Sequence, residues 1–124
     1  MQTGYIGGEQ TGQINSETVL GARMMNGTGG QPETHIGAFL CPGGRAITLL
    51  QSTAVGGAIS RIVPQLEAGA LVTVPRYFAG TVVTEFGIAR LLGMNHRERA
   101  AELIAIAHPN HRAELREAAI RLFG

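Results

Sequence analysis

The sequence contains 124 residues, 44% of them hydrophobic and 15% charged, with a formal net charge of +1. This length suits one domain, and the apolar share is too high for a disordered chain. Its ten basic residues are all arginine and its nine acidic residues are all glutamate, and this balance argues against a nucleic-acid partner held by a basic surface.

Glycine divides the beginning of the chain into short segments. Residues 1–14 contain four glycines, so any strand here should be short and interrupted. Asn15 or Ser16 can cap a helix, and the apolar positions that follow predict that helix over residues 17–25.

The run from Gly27 to Gln31 has three glycines in four positions. Its backbone N–H groups are therefore uncovered by side chains and can approach a negatively charged oxygen. A short helix predicted to begin at Glu33 or Thr34 and to end at Leu40 would add its positive end. The run is either an oxyanion or phosphate cradle or a tight turn between two helices.

Four runs in the middle of the chain are rich in β-branched residues and bounded by glycine or proline. They predict strands over residues 45–50, 60–63, 70–74 and 80–84. Because these runs are almost continuously apolar, we expect strands covered on both faces, as in a parallel or mixed sheet.

The last third predicts two amphipathic helices. Asn95 can cap a helix over residues 96–107, which His108 and Pro109 should end. Asn110 can cap the next helix. The overall pattern predicts an α/β fold, with a parallel or mixed sheet flanked by helices.

Glu85 directly follows the predicted strand 80–84, and open α/β sheets place active groups at such strand ends. Partial burial would raise the pKa of its carboxyl group and suit it to act as an acid, a base or a nucleophile. The alternative is a structural ion pair with Arg61 or Arg76 that orients a loop.

Other reactive side chains predict no separate site. His108 and His111 are separated by a proline that breaks the helix face a metal-binding pair would need, so we expect no metal. Cys41 is predicted to be a small buried apolar residue, and a lone cysteine forms no internal disulfide.

No apolar run reaches the ~20 residues of a membrane span, and the first residues do not resemble a signal peptide. We therefore expect a cytoplasmic protein with no membrane partner.

Eight motifs stand in order along the chain: 11–15 (TGQIN), 27–31 (GTGGQ), 52–54 (STA), 60–64 (SRIVP), 72–76 (VTVPR), 82–89 (VVTEFGIA), 97–100 (RERA) and 103–109 (LIAIAHP). Together they resemble the C-terminal domain of the acetyl-CoA hydrolase / 4-hydroxybutyrate CoA-transferase family. The resemblance runs from about Gly8 to Gly124.

This resemblance implies a CoA-transferase-like (NagB/RpiA-type) fold, with residues 1–124 as the C-terminal-type domain. It also implies a ping-pong reaction between an acyl-CoA and a small carboxylic acid, in which CoA thioesters are substrates and no cofactor is permanently bound. The nucleophilic glutamate would lie upstream, on an N-terminal domain or subunit that this chain lacks. The complete protein is expected to be a homo-oligomer.

By the same resemblance, Gly29 and Gly30 would offer backbone amides to the thioester oxygen, and Gly27, Thr28 and Gln31 would bind substrate or CoA. The sequence departs from the family after Gln31. Residues 32–35 read Pro-Glu-Thr-His, where the family usually has a small apolar residue, an aspartate and an aromatic.

Three interpretations remain open. The chain is half of a CoA-transferase, or a non-catalytic remnant or binding module, or a self-sufficient enzyme in which Glu85 has become the nucleophile. With water as acceptor, the first of these would be an acetyl-CoA hydrolase.

Overall fold

The computed structural model describes the backbone of residues 7–124 and the side chains from residue 10 onward. The strands are β1 (Gly7–Glu9), β2 (Ile14–Asn15), β3 (Thr18–Val19), β4 (Arg23–Met24), β5 (Ile47–Leu49), β6 (Thr53–Ala54), β7 (Ile59–Ser60), β8 (Ile62–Val63), β9 (Thr81–Thr84) and β10 (Gly87–Arg90). The helices are α1 (Gln31–Leu40), α2 (His96–Ile106) and α3 (Arg112–Phe123), with 3-10 turns at Val55–Gly57, Arg76–Phe78 and Pro109–His111.

Six of these strands form two three-stranded mixed sheets, and the others form the antiparallel pairs β3–β4 and β6–β7. One has the order β10–β9–β5, with β9 parallel to β5 and antiparallel to β10. The other has the order β2–β1–β8, with β1 parallel to β8 and antiparallel to β2. The predicted α/β class with a mixed sheet is therefore confirmed.

α2 covers one face of the β10–β9–β5 sheet, and α3 packs against α2. Asn95 begins α2 with a capping box, in which its side chain accepts the Glu98 N–H and the Glu98 carboxylate accepts the Asn95 N–H. Both helices send apolar side chains into the same core as the sheet, which includes Val74, Val82, Ala89, Leu91, Leu103, Ile104, Ile106 and Leu115.

The predicted helix over residues 17–25 is wrong. The Asn15 side-chain oxygen accepts the N–H groups of Glu17 and Thr18, which forms a local turn in place of a helix cap. Leu20 then has a φ of 51° and Gly21 a φ of 79°, so the chain reverses into the antiparallel pair β3–β4.

Other predictions failed where a run was too short or too irregular. Residues 70–74 form no strand, because only Val74 makes an isolated bridge, to Ile14. The predicted strand 60–63 is divided between β7 and β8. Asn110 does not cap α3; a 3-10 turn intervenes, and the His108 side chain accepts the Asn110 N–H.

The sequence analysis did not predict β10, and it predicted that both faces of the sheet would be covered. Side chains of the Thr48–Val82–Ala89 row face the core, whereas Ile47, Leu49 and Ile88 point to the other face and are exposed. Hence only one face of this sheet is covered by residues 10–124. Within residues 7–124, no helix is long and apolar enough to cross a bilayer.

Candidate functional site

The glycine loop leads directly into the first helix. α1 begins at Gln31, two or three residues earlier than predicted, and Gly30 is its N-cap. Pro32 occupies the first turn, where its missing N–H costs no helical hydrogen bond. The amides of a first helical turn have no intrahelical acceptor, so the positive end of α1 adds N–H donors beside the glycine loop, to which Pro32 contributes none.

Residues 27–30 are all exposed to solvent. A Cβ added at Gly27, Gly29 or Gly30 would meet no atom within 4 Å. Gly29 has a φ of 55°, a conformation that strains most L residues, whereas Gly30 has a φ of −95°. Backbone conformation, and not packing, is thus the reason for glycine at position 29.

His35 anchors the first turn of α1 to the sheet. Its ring is buried, with Nδ1 at 2.8 Å from the Gln31 carbonyl oxygen and Nε2 at 3.3 Å from the Thr48 hydroxyl on β5. Because a carbonyl only accepts, Nδ1 donates, and Nε2 can then accept from Thr48. The segment in which the sequence departs from the family therefore supplies a structural contact directly behind the glycine loop.

The direction of α1 brings the glycine loop towards the carboxyl ends of the parallel strands. The last turn of α1 lies near the beginning of β5, because the Ala38 carbonyl packs on Gly44, which precedes that strand. In the same turn, the ring of Phe39 packs on the ring of Phe78, with 5.5 Å between the ring centroids. His35 lies opposite the middle of β5. The helix therefore runs antiparallel to β5, and its amino end points towards the edge where β5 and β9 end.

Glu85 lies at that same edge. It is the first residue of the two-residue turn between β9 and β10, and the Ser52 backbone N–H donates to its Oε1 at 2.9 Å. Ser52 follows β5, so this hydrogen bond joins the carboxyl ends of the two parallel strands. The carboxylate accepts from Ser52. Arg76, one of the two arginines considered as its partner from the sequence, donates from Nε to the Thr11 hydroxyl at 3.2 Å.

The expectation of a raised pKa at Glu85 is wrong. The side chain is exposed, and hydrogen bonding from the Ser52 hydroxyl, outweighing a small effect of burial, lowers the pKa of the Glu85 carboxyl below its ordinary value. The Ser52 N–H and the His108 ring lower this pKa further. Glu85 is therefore an ionised carboxylate near neutral pH, suited to binding, positioning or accepting a proton rather than donating one.

The remaining reactive side chains have structural partners or face solvent. His108 Nδ1 accepts the Asn110 N–H, and His111 Nε2 lies 3.0 Å from the Gly57 carbonyl oxygen. Among the described residues, no three His, Cys, Asp or Glu side chains form a metal-binding group. Cys41 is exposed and not buried as predicted, because it is the C-cap of α1 and its thiol points out of the fold.

Sequence reasoning missed Ser52 and His35 as residues that shape the site. The signal for Ser52 was its place after a β-branched run, parallel to the run that ends at Glu85. His35 gave no clear signal, because a histidine in the second turn of a short helix is as often exposed as buried.

The chain matches the family described as acetyl-CoA hydrolase/transferase C-terminal domain over residues 9–119. It is 48% identical over 111 residues to the succinyl-CoA:cyclohexane-1-carboxylate CoA transferase of Geobacter metallireducens, covering 90% of this chain and 25% of that protein. It is 47% identical over 104 residues to the 4-hydroxybutyrate coenzyme A transferase of Clostridium kluyveri, covering 84% and 24%.

The same relationship holds in three dimensions. The crystal structure of RipA from Yersinia pestis superposes with a TM-score of 0.84 at 40% sequence identity, covering 94% of this chain and 26% of RipA. The chain thus spans about a quarter of the length of the relatives that it matches.

Proposed function

Since the chain belongs to the acetyl-CoA hydrolase/transferase C-terminal domain family, we propose that it is the C-terminal part of a CoA-transferase. In this proposal it supplies the substrate loop for moving CoA between an acyl-CoA and a small carboxylic acid. The nucleophilic glutamate comes from an upstream domain or subunit. The acyl-CoA and the carboxylate are substrates, and the assembled enzyme is cytoplasmic and oligomeric.

The observation that carries this proposal is the uncovered glycine loop at the amino end of α1. Each attack on an acyl carbonyl in CoA transfer moves an electron pair onto the carbonyl oxygen. Preorganised N–H groups, such as those of Gly29 and Gly30, stabilise that oxyanion without reorganising. The electron pair then returns as the thiolate or carboxylate leaves. Gly27, Thr28 and Gln31 flank these donors, in position to bind the thioester or the CoA chain.

The location of Glu85 supports a role as an auxiliary group rather than as the nucleophile. Its lowered pKa keeps it ionised, and its exposed position lacks the apolar wall that would protect an acyl-glutamyl anhydride from water. Near the same sheet edge as the glycine loop, the carboxylate can orient substrate or accept a proton from a water molecule. Attack by the water deprotonated in this way, with its proton held on the Glu85 carboxyl, would lead to hydrolysis, the alternative activity of the family.

The experiment needs an assembled enzyme. A chimera in which this chain replaces the matched C-terminal quarter of the Clostridium kluyveri relative supplies the upstream part covalently. We would compare Gly29→Val with Gly29→Asn, because asparagine tolerates a positive φ and valine does not. Acetyl-CoA consumption should fall by about 100-fold or more in Gly29→Val, the cost of losing an oxyanion donor, and only modestly in Gly29→Asn.

Borohydride trapping and mass spectrometry then separate the open interpretations. A trapped glutamate in the upstream part of the chimera, with no modification on the isolated 124-residue chain, supports the proposal. Modification of Glu85 in the isolated chain would make it the nucleophile and overturn our assignment. A folded chimera in which Gly29→Val turns over as fast as the parent would remove the loop from the reaction and favour a non-catalytic remnant.

A further inference from the structure

A cavity of about 320 Å³ lies beside the carboxyl end of α1, at the edge of the sheet where β5 and β9 begin. This volume is within the range of small-molecule sites, which starts at about 300 Å³. Apolar side chains form much of its wall: the rings of Phe39 and Phe78 pack edge to face, and Leu92 follows β10. We call this cavity the α1 pocket.

The α1 pocket is open because small residues line it where the helix meets the sheet. A Cβ at Gly44 would collide with the Ala38 carbonyl oxygen, so only glycine lets the last turn of α1 approach β5 this closely. The space that larger side chains would fill is therefore left free. The small lining residues are Ala38, Gly44, Ala46 and Gly80.

Two exposed arginines, Arg45 and Arg90, give the α1 pocket a positive charge. No glutamate lines it, and the sequence contains no aspartate. Within residues 10–124, neither guanidinium group has a hydrogen-bond or ion-pair partner; the Glu102 carboxylate accepts the backbone N–H of Arg90, not its side chain. The pocket therefore presents two cations that have no counter-ion in the part of the chain that the structure describes.

The strand register places these two arginines close enough to act on one ligand. Thr81 on β9 donates its N–H to the carbonyl of Ala46, the neighbour of Arg45, and pairs with Arg90 on its other side. Two strand spacings, about 10 Å, thus separate the backbones that carry the arginines. Two long side chains can bridge this distance around a single anion.

We propose that the α1 pocket binds a small organic oxyanion, a carboxylate or a phosphate ester, that carries an apolar or aromatic body. Guanidinium groups bind both kinds of head group through paired hydrogen bonds. Aromatic rings such as those of Phe39 and Phe78 pack favourably on a flat apolar body. A neutral molecule would leave the arginines without a partner, and an inorganic anion would leave the apolar wall in contact with water.

This site is separate from the candidate active site. α1 has ten residues and is about 15 Å long. The glycine loop lies at its amino end and the α1 pocket at its carboxyl end, so a ligand in the pocket is not the acyl group that the loop would hold. The proposal therefore goes beyond the proposed function and does not depend on it.

The test is an NMR titration of the 124-residue chain with benzoate, which combines a carboxylate with a flat apolar ring. Benzamide has the same shape without the charge, and acetate has the charge without the ring. Benzoate should bind with a Kd of about 1 mM and shift the amide signals of Phe39, Ala46 and Leu92. Benzamide and acetate should each bind at least about tenfold more weakly.

Phenyl phosphate, titrated in the same way, identifies the head group, because the tighter of the two aromatic anions is the better match to the arginines. Equal binding of benzamide or acetate would overturn the proposal, since either the charge or the apolar body would then contribute nothing. So would the absence of a saturable shift up to about 20 mM benzoate, or shifts confined to the glycine loop.

Substitutions locate the anion within the pocket. Arg45→Gln and Arg90→Gln should each raise the Kd for benzoate about tenfold, through loss of a charge-assisted hydrogen bond. Arg121→Gln is the matched control, because Arg121 is exposed on α3 outside the pocket and its loss changes the net charge equally. All three residues are exposed, so the variants should keep the parent's NMR spectrum. An equal Kd in all three would overturn the proposal.

The chimera with the upstream part of the Clostridium kluyveri relative tests the pocket in an assembled protein. Saturation transfer from the chimera to benzoate should be observed and should fall in Arg45→Gln but not in Arg121→Gln. If the isolated chain binds benzoate and the chimera does not, the upstream part closes the pocket and the proposal is overturned. Acetyl-CoA consumption by the same chimera reports separately on the proposed function.

Discussion

The two ends of the described chain are stabilised by different kinds of contact. From Val74 to Ala118 the buried side chains are mostly aliphatic and belong to one hydrophobic core. Between Gln10 and Thr18 most of the buried side chains are polar, including those of Asn15 and Glu17, and they are held by hydrogen bonds to distant parts of the chain. The region from Val74 to Ala118 can therefore be recognised from apolar periodicity in the sequence, whereas the region from Gln10 to Thr18 cannot.

Arg99 joins these two regions. Its buried guanidinium donates from Nη1 to the Thr11 carbonyl and from both Nη1 and Nη2 to the Arg76 carbonyl, at 3.0–3.1 Å. α2 thus contributes apolar side chains to the core and a charged side chain to the polar region. The comparison predicts that a single substitution will lower the free energy of unfolding most in the hydrophobic core, less in the buried polar network and least at the exposed Glu85.

The largest effect is expected in the core. Leu103 is almost fully buried between α2 and the sheet, so Leu103→Ala removes apolar contact and leaves a cavity. The free energy of unfolding should fall by about 2–5 kcal/mol. Urea denaturation of the isolated chain measures this, with Leu122→Ala on the exposed side of α3 as control. A loss below about 1 kcal/mol would mean that α2 is not packed as described.

The second effect concerns the polar network. The Thr73 hydroxyl donates to the Glu17 carboxylate at 2.8 Å and accepts the Ser16 N–H at 2.9 Å. Thr73→Val keeps the shape but leaves both groups without this partner, which should cost about 1–3 kcal/mol. Thr34→Val is the control, because the Thr34 hydroxyl makes an exposed hydrogen bond. If the two variants unfold at the same urea concentration, the buried network contributes nothing to stability.

This difference between regions explains how much of the molecule could be predicted. The helices α2 and α3, the strands β5 and β9, and the family resemblance all depend on residue patterns that are local in sequence. The β3–β4 hairpin does not, because Thr73, which follows it by about fifty residues, anchors the turn before it. The predicted helix over 17–25 used only the local apolar spacing and therefore failed.

The glycine loop of the candidate site could be predicted from the sequence, but the residues that hold the loop and Glu85 in place could not. Three glycines in four positions are visible in the sequence, and so is a carboxylate after a strand. Which groups stand behind them depends on tertiary packing, as the contacts of His35 with Thr48 and of Ser52 with Glu85 show. The direction of the pKa shift at Glu85 was missed because burial was expected where a hydrogen bond dominates.

The third prediction tests whether His35 fixes the conformation of the glycine loop. His35→Leu removes the hydrogen bonds to the Gln31 carbonyl and the Thr48 hydroxyl, and should cost about 1–2 kcal/mol. Because the first turn of α1 loses its link to β5, the NMR amide signals of Gly29 and Gly30 should shift or broaden. His35→Asn, which can still donate to the Gln31 carbonyl, should restore these signals in part. Unchanged loop signals in His35→Leu would show that the loop conformation is independent of this contact.

The smallest effect is the pH dependence of Glu85. Because its pKa is lower in the folded chain than the ordinary value of 4.5, ionisation favours the folded state. The contribution is fully present above the unfolded pKa and is lost as the pH falls through the folded pKa. The side chain is exposed, so the contribution should stay below about 0.5 kcal/mol.

Glu85→Gln tests this sign directly, because glutamine keeps the shape without the charge. The variant should be slightly less stable than the parent near about pH 7, and the difference should disappear near about pH 2, where both side chains are neutral. Glu114→Gln, on an exposed turn of α3, provides a comparison without the Ser52 contact. A Glu85→Gln variant more stable than the parent at neutral pH would reverse the sign. It would mean that the carboxylate is destabilised in the isolated chain, as expected of a group held in place for a substrate or for the upstream part of the enzyme.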